Sequence, residues 1–271
     1  MKHPHRGFTL IEVAISMVIL GLVLTGLVVS LSQQLQQRRL LDTRTTLAEA
    51  NDALIAFVTA NARLPCPAVA ASNGLEATTA PGTCTAAAGF LPAVTLGLPN
   101  LDANGLLNDG WADGSSRDNT GALSYPRAIR YSVTRLTGTP QVNALTTGSL
   151  VSLGTPQTRS SVGNALAANN GLFVCRSSAG MVGGAVNRCG SNANSLALNA
   201  VAVLWSQGPT GNDVVGNSND EKQNANQPIA RAFVMHDPTD VAAAAGRFDD
   251  LVSWVSWGTV ADKLMVAWQV Q

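Results

Sequence analysis

The sequence predicts an α+β fold: one long N-terminal helix lies on an antiparallel sheet, and long loops between the strands are stapled by disulfides. Three observations predict it. A 24-residue apolar run, 8–31, passes into a stretch with helical periodicity that ends near residue 61. Several short segments rich in β-branched and aromatic residues follow, each bounded by Gly, Pro, Asn or Asp. Four cysteines, Cys66, Cys84, Cys175 and Cys189, all lie beyond the apolar run and bracket polar loops.

The apolar run contains a single charge, Glu12. As a helix its 24 residues span about 36 Å, enough for a hydrocarbon core of about 30 Å. Lys2 and Arg6 precede it, which places the N-terminus on the cytoplasmic side and everything after the run outside the inner membrane. A secretory signal peptide would have a shorter apolar region and a small-x-small cleavage site, whereas this run leads into "SLSQQLQQRR". A plain anchor would account for the length. It would not account for Glu12, since an ionised carboxylate in the span costs about 2.5 to 3.5 kcal/mol on insertion scales.

Beyond the span the helix pattern turns amphipathic. Leu40, Leu47, Ala50, Leu54, Ile55 and Val58 fall three, four and seven apart and draw one stripe, while Arg38, Arg39, Arg44, Glu49 and Asp52 occupy most of the remaining surface. Pro65 ends the helix, because the residue before a proline is pushed out of helical geometry. The pattern therefore predicts one helix over 8–61, its first half in lipid and its second half the spine of a domain.

Strands are predicted within 127–136, 171–176, 199–207 and 231–237, and "DDLVSWVSW" near the C-terminus reads as another. Val260, Leu264, Met265 and Trp268 then follow at helical spacing. The stretches 68–88, 101–121, 137–170 and 208–228 read as loops, and no repeat period marks a solenoid or a second domain. An even cysteine count after a span suits an oxidising compartment. Three connectivities are open, as are free buried thiols. The pairing Cys66 with Cys84 and Cys175 with Cys189 is favoured because each pair closes one loop poor in apolar residues, for roughly 3 kcal/mol each. The spacings lack C-x-x-C, which argues against a metal site.

Composition excludes more than it names. Lys plus Arg and Asp plus Glu number 17 each, so no excess of basic charge marks a nucleic-acid partner. Of three histidines only His236 lies beyond residue 5, and no G-x-S-x-G, H-E-x-x-H or glycine-rich phosphate loop is present, so no enzyme is predicted. Asp249 and Asp250, if in a strand, would point to opposite faces and share no acid-base work. The tryptophans read as core.

"RG" followed by "FTLIEVAISMVILG" resembles the type IV prepilin signature: a short basic leader ending in glycine, then phenylalanine, with glutamate at the fifth position after the cut. The resemblance implies that a prepilin peptidase cleaves after Gly7 and methylates the new N-terminus at Phe8, and that Glu12 is the assembly residue. It divides the chain into a leader, 1–7; a transmembrane half-helix, 8–31; an amphipathic half, 32–62; and a periplasmic or extracellular domain, 63–271, of pilin-like fold. "RLPCPA", "GFLPAVTLGLP", "NDGWADG" and "FDDLVSWVS" are similar, more weakly, to larger pilin-like proteins.

The partners implied are other pilin or pseudopilin subunits, the prepilin peptidase and an inner-membrane assembly platform. The resemblance further implies a structural subunit, a minor pilin or a type II secretion pseudopilin, first single-pass in the inner membrane and then in a filament. A filament-tip adhesin carried on a pilin helix is the alternative. No cofactor is assigned. Calcium is an option because some pseudopilins bind it in Asn/Asp-rich loops. Here Asp102, Asn104, Asn108, Asp109, Asp113 and Asp118 form one such loop, and Asp213, Asn217, Asn219, Asp220 and Glu221 another. Neither has the EF-hand spacing, turn geometry alone explains such residues, and no metal ligand is assigned.

Overall fold

The computed structural model describes residues 9–61, 63–80, 83–112, 127–134, 151–152, 155–156, 171–182, 187–209, 211, 218–225, 231–240 and 242–268; the side chains of 23–32, 80, 83, 151–152, 155–156 and 264–268 are outside that description. Helix α1, Leu10–Asn61, is unbroken over 52 residues. It contains no proline and only two glycines, Gly21 and Gly26, so no residue in its sequence breaks the i to i−4 ladder.

After α1 the chain turns through a short 3-10 turn, Ala70–Ser72. A small antiparallel pair follows, β1 (Thr78–Ala80) with β2 (Thr83–Cys84). The main sheet is built from β3 (Ala88–Phe90), β4 (Arg130–Val133), β7 (Leu172–Cys175), β8 (Ser195–Ser206), β9 (Ala232–Val234) and β10 (Leu251–Ser256). A separate two-residue pair joins β5 (Val151–Ser152) to β6 (Thr155–Pro156). Helix α2, Asn219–Ala225, precedes β9, and helix α3, Trp257–Trp268, closes the described chain.

Strand β8 organises the sheet. Its residues 202–205 pair with β4 and with β10 at once, one on each edge, while its first half pairs with β7. All these pairs are antiparallel, as predicted. The exception is β9, which runs parallel to β7, in the register Phe173 with Ala232 and Cys175 with Val234. The sheet is therefore mixed, not antiparallel throughout. Strand alternation gives composition, not neighbours, and the β7 to β9 pairing joins segments nearly 60 residues apart, which a local pattern does not encode.

The predicted stripe is the face that α1 buries. Leu47, Ala50, Leu54 and Val58 sit in one core with Ile129, just before β4, Tyr131 and Val133 of β4, Val201, Ala202 and Leu204 of β8, Val255 of β10 and Val260 of α3, with Leu40 and Ile55 packed at its margin. Burying four such side chains contributes on the order of 1.5 to 3 kcal/mol for each large one, far above what helix propensity supplies. Trp111 and Trp205 are buried, as expected of core tryptophans.

Gly110 belongs to the "NDGWADG" phrase and fixes where a loop meets the helix. Its amide donates to the buried Thr43 hydroxyl at 2.9 Å, and a Cβ there would overlap the Arg39 carbonyl oxygen. Only glycine permits that approach. Disulfides join Cys66 to Cys84, just past α1, and Cys175 of β7 to Cys189, and all four sulfur-bearing residues are buried.

Candidate functional site

Helix α1 has two physically different halves. From Leu40 upward the stripe Leu40, Leu47, Ala50, Leu54, Ile55 and Val58 packs into the core; from 9 to 22 every side chain is exposed, including Leu10 at 89%, Ile11 at 70% and Met17 at 69%. Glu12 lies in the first turn of this uncovered half, some 28 residues and about 42 Å along the axis from Leu40. The Glu12 and Val13 amides donate to the Thr9 carbonyl at 3.1 and 3.2 Å, and the Ser16 hydroxyl donates to the Glu12 carbonyl at 2.8 Å. A carboxylate in a first turn faces the positive end of the helix dipole, which favours it locally. A contiguous apolar surface of this size is unstable in water and marks a membrane or protein interface.

Gly7 and Phe8 lie outside the described residues, as does the 1–7 segment. Among the described residues no helix is long and apolar enough to cross a membrane; the run 8–31 falls partly on Phe8 and on 23–32, where side chains are not described.

Residues 2–28 match the family model of the prokaryotic N-terminal methylation motif. The chain carries a prepilin-type methylation motif. No curated protein and no solved structure matches the chain. The motif spans the basic leader, Gly7, Phe8, Glu12 and the uncovered part of α1, so the family match and the exposed apolar surface fall on the same residues. It is the motif of type IV pilins and pseudopilins, and it is structural rather than catalytic.

Other sequence candidates resolve differently. Asp102 accepts from the amides of Asn104 and Leu106, each at 2.8 Å, so it holds a turn. Asp109 accepts from the Trp111 amide at 2.9 Å and the Ser206 hydroxyl at 2.8 Å, tying that turn to β8. Asp113, Asp118, Asp213 and Asn217 lie outside the described residues. His236 engages the Asp237 carbonyl at 2.7 Å and the Asp220 carboxylate at 3.2 Å, with its ring stacked 3.9 Å from that of Phe248.

Sequence reasoning missed one group. Glu221 of α2, Asp249 and Asp250 bring carboxylate oxygens within 4.8 Å of one another, with Glu221 and Asp250 buried. Asp249 and Asp250 were expected on opposite faces of a strand. They precede β10, which begins at Leu251, so strand alternation does not govern them. The Asp249 amide donates to Glu221 Oε2 at 2.9 Å, and Glu221 Oε1 is buried without a hydrogen-bond partner. Burial, then the charges of Asp250 and Asp249, pushes Glu221 up to about 10, and burial pushes Asp250 up to about 7. The missing signal was spatial: about 28 residues separate Glu221 from the aspartates.

Proposed function

We propose that this chain is a low-copy filament subunit, a minor pilin or pseudopilin, that enters a type IV pilus or a type II secretion pseudopilus through α1. The observation that carries the reading is the uncovered apolar half of α1 with one acid in its first turn, coincident with the methylation motif at 2–28. In this reading Gly7 is the last leader residue and Phe8 the methylated N-terminus. Residues 8–31 form the span, 32–62 the amphipathic half, and 63–271 the domain outside the inner membrane. The domain of about 200 residues is large for a repeating subunit, which favours few copies per filament.

The electrostatics give Glu12 its task. Cleavage frees an amine on Phe8 that is largely cationic near neutral pH, its reference pKa being about 7.7 to 8. In a lone subunit both the amine and the Glu12 carboxylate are costly in hydrocarbon. When subunits stack with an axial stagger, Glu12 of the incoming chain meets the Phe8 amine of its predecessor, and two buried charges neutralise each other. The pair then sets register as well as affinity, as a buried polar residue does in a coiled coil.

Intact-mass measurement of the membrane-bound chain tests the processing step. The mass should correspond to a chain starting at Phe8 with one added methyl group, and Gly7→Glu should retain the leader. A mature N-terminus near residue 30 would instead mean secretory cleavage and would overturn the reading.

A further inference from the structure

We propose that Glu221, Asp249 and Asp250 form a binding site for one hard divalent cation, which clamps α2 to the start of β10. Two independent features point to a ligand. The three carboxylates converge, with donor oxygens no more than 4.8 Å apart, which is about twice a calcium–oxygen distance of 2.3 to 2.6 Å, so one ion can reach all three. Glu221, only 2% exposed, holds its Oε1 buried without a hydrogen-bond donor, and its carboxyl lies at hydrogen-bond range of the Asp250 carboxyl.

Buried anions must be compensated. Within the cluster the Asp249 amide serves Glu221, the Asn224 side chain serves Asp250, and the Glu221 and Asp250 carboxyls lie within hydrogen-bond distance of each other. Arg127 is the cation that Asp249 feels, but its Nη2 is committed to the Pro209 carbonyl at 2.7 Å and its Nη1 to the Gly208 carbonyl. Proton uptake by Glu221 and Asp250 neutralises those two carboxyls when no ion is bound, but it leaves Asp249 unbridged. A divalent ion would cancel two charges and coordinate all three carboxylates.

Access and donor chemistry fit as well. Asp250 lines a cavity of about 550 Å³ between α1 and the sheet, and Asp249 lines a second of about 650 Å³ beside Trp111 and Phe248. The two cavities thus border the two aspartates, and Glu221 closes the cluster from the interior. The donors are all carboxylate oxygens, which select Ca²⁺, Mg²⁺ or Mn²⁺ over zinc or copper. The ion would tie a short polar helix, otherwise joined to β9 through Gln223 and Asn224, to a second strand of the sheet.

Full-length chain in detergent, stripped with EDTA, is titrated separately with CaCl₂, MgCl₂ and MnCl₂, following heat of binding and the thermal midpoint. One ion per chain should bind and raise the midpoint progressively with concentration. Glu221→Gln keeps the shape, relieves the repulsion between carboxylates, and should fold at least as stably without metal while losing affinity by an order of magnitude or more. If that variant does not fold, Asp249→Asn at the half-buried corner serves for the same comparison. No midpoint rise in the wild type with any of the three ions, or an equal rise in the folded variant, would overturn the site.

Discussion

Arg63, just before Cys66, and Glu76, inside the loop that the first disulfide closes, form a two-pronged ion pair, with Nη1 and Nη2 at 2.8 and 2.6 Å from the two carboxylate oxygens, while the Cys66 amide donates to Glu76 at 3.0 Å. Burial pushes the Glu76 carboxyl up, but the hydrogen bonds from Arg63 and the Cys66 amide outweigh it, and the group titrates below 4.5. A folded value below the unfolded one contributes stability that is complete above about pH 4.5 and is lost as pH falls through the folded value. Glu76→Gln should therefore destabilise the domain by about 1 to 2 kcal/mol at pH 7. Urea unfolding at pH 7 and pH 3 checks this, since the gap between wild type and variant should shrink on acidification; an unchanged gap would contradict the assignment. Nothing in the sequence singled out Glu76, because its partner is 13 residues away across a bend. Glu12 stands out in the sequence for the opposite reason: an acid inside an apolar run is anomalous without any knowledge of neighbours.

Among the elements, legibility followed hydrophobic periodicity. Helix α1 was read to its last residue because Leu47, Ala50, Leu54 and Val58 repeat at helical spacing and are the positions the sheet covers. Strand β8 was read short: its first residues, Ser195 to Leu198, are half-buried or exposed, pair irregularly with β7, and carry no alternation. Helix α2 was taken for loop because "NDEKQNA" has no apolar stripe; its buried residues are Glu221 and Asn224, held by polar contacts. The second disulfide acts at this scale. Cys175 lies in β7 and shares a small core with Phe173, Cys189 and Ala232, so its loss should be felt by the β7 to β9 edge as well as by the loop. Replacing Cys175 and Cys189 together by Ser should cost about 3 kcal/mol, seen as a lower midpoint under non-reducing conditions. A midpoint equal to that of the wild type would show that the bridge constrains little.

At the scale of the whole molecule one helix is divided in two: α1 gives its upper stripe to the sheet, and its side chains from 9 to 22 stay uncovered. The α+β architecture was legible because helix, strand and cysteine signals are each local. The parallel β9 and the Glu221, Asp249 and Asp250 cluster were not, because both depend on how distant segments meet. The most direct test of the central claim is the incorporation of Glu12→Leu into purified filaments, relative to wild type at equal membrane levels. Leucine removes the insertion penalty, so the variant should be processed after Gly7 and remain in the membrane. Loss of the partner for the neighbouring Phe8 amine removes one member of a buried pair, worth about 3 to 5 kcal/mol, or roughly a hundredfold or more in association. The account predicts Glu12→Leu to be abundant in membranes and nearly absent from filaments and from crosslinks to the adjacent subunit; incorporation at the wild-type level would contradict it.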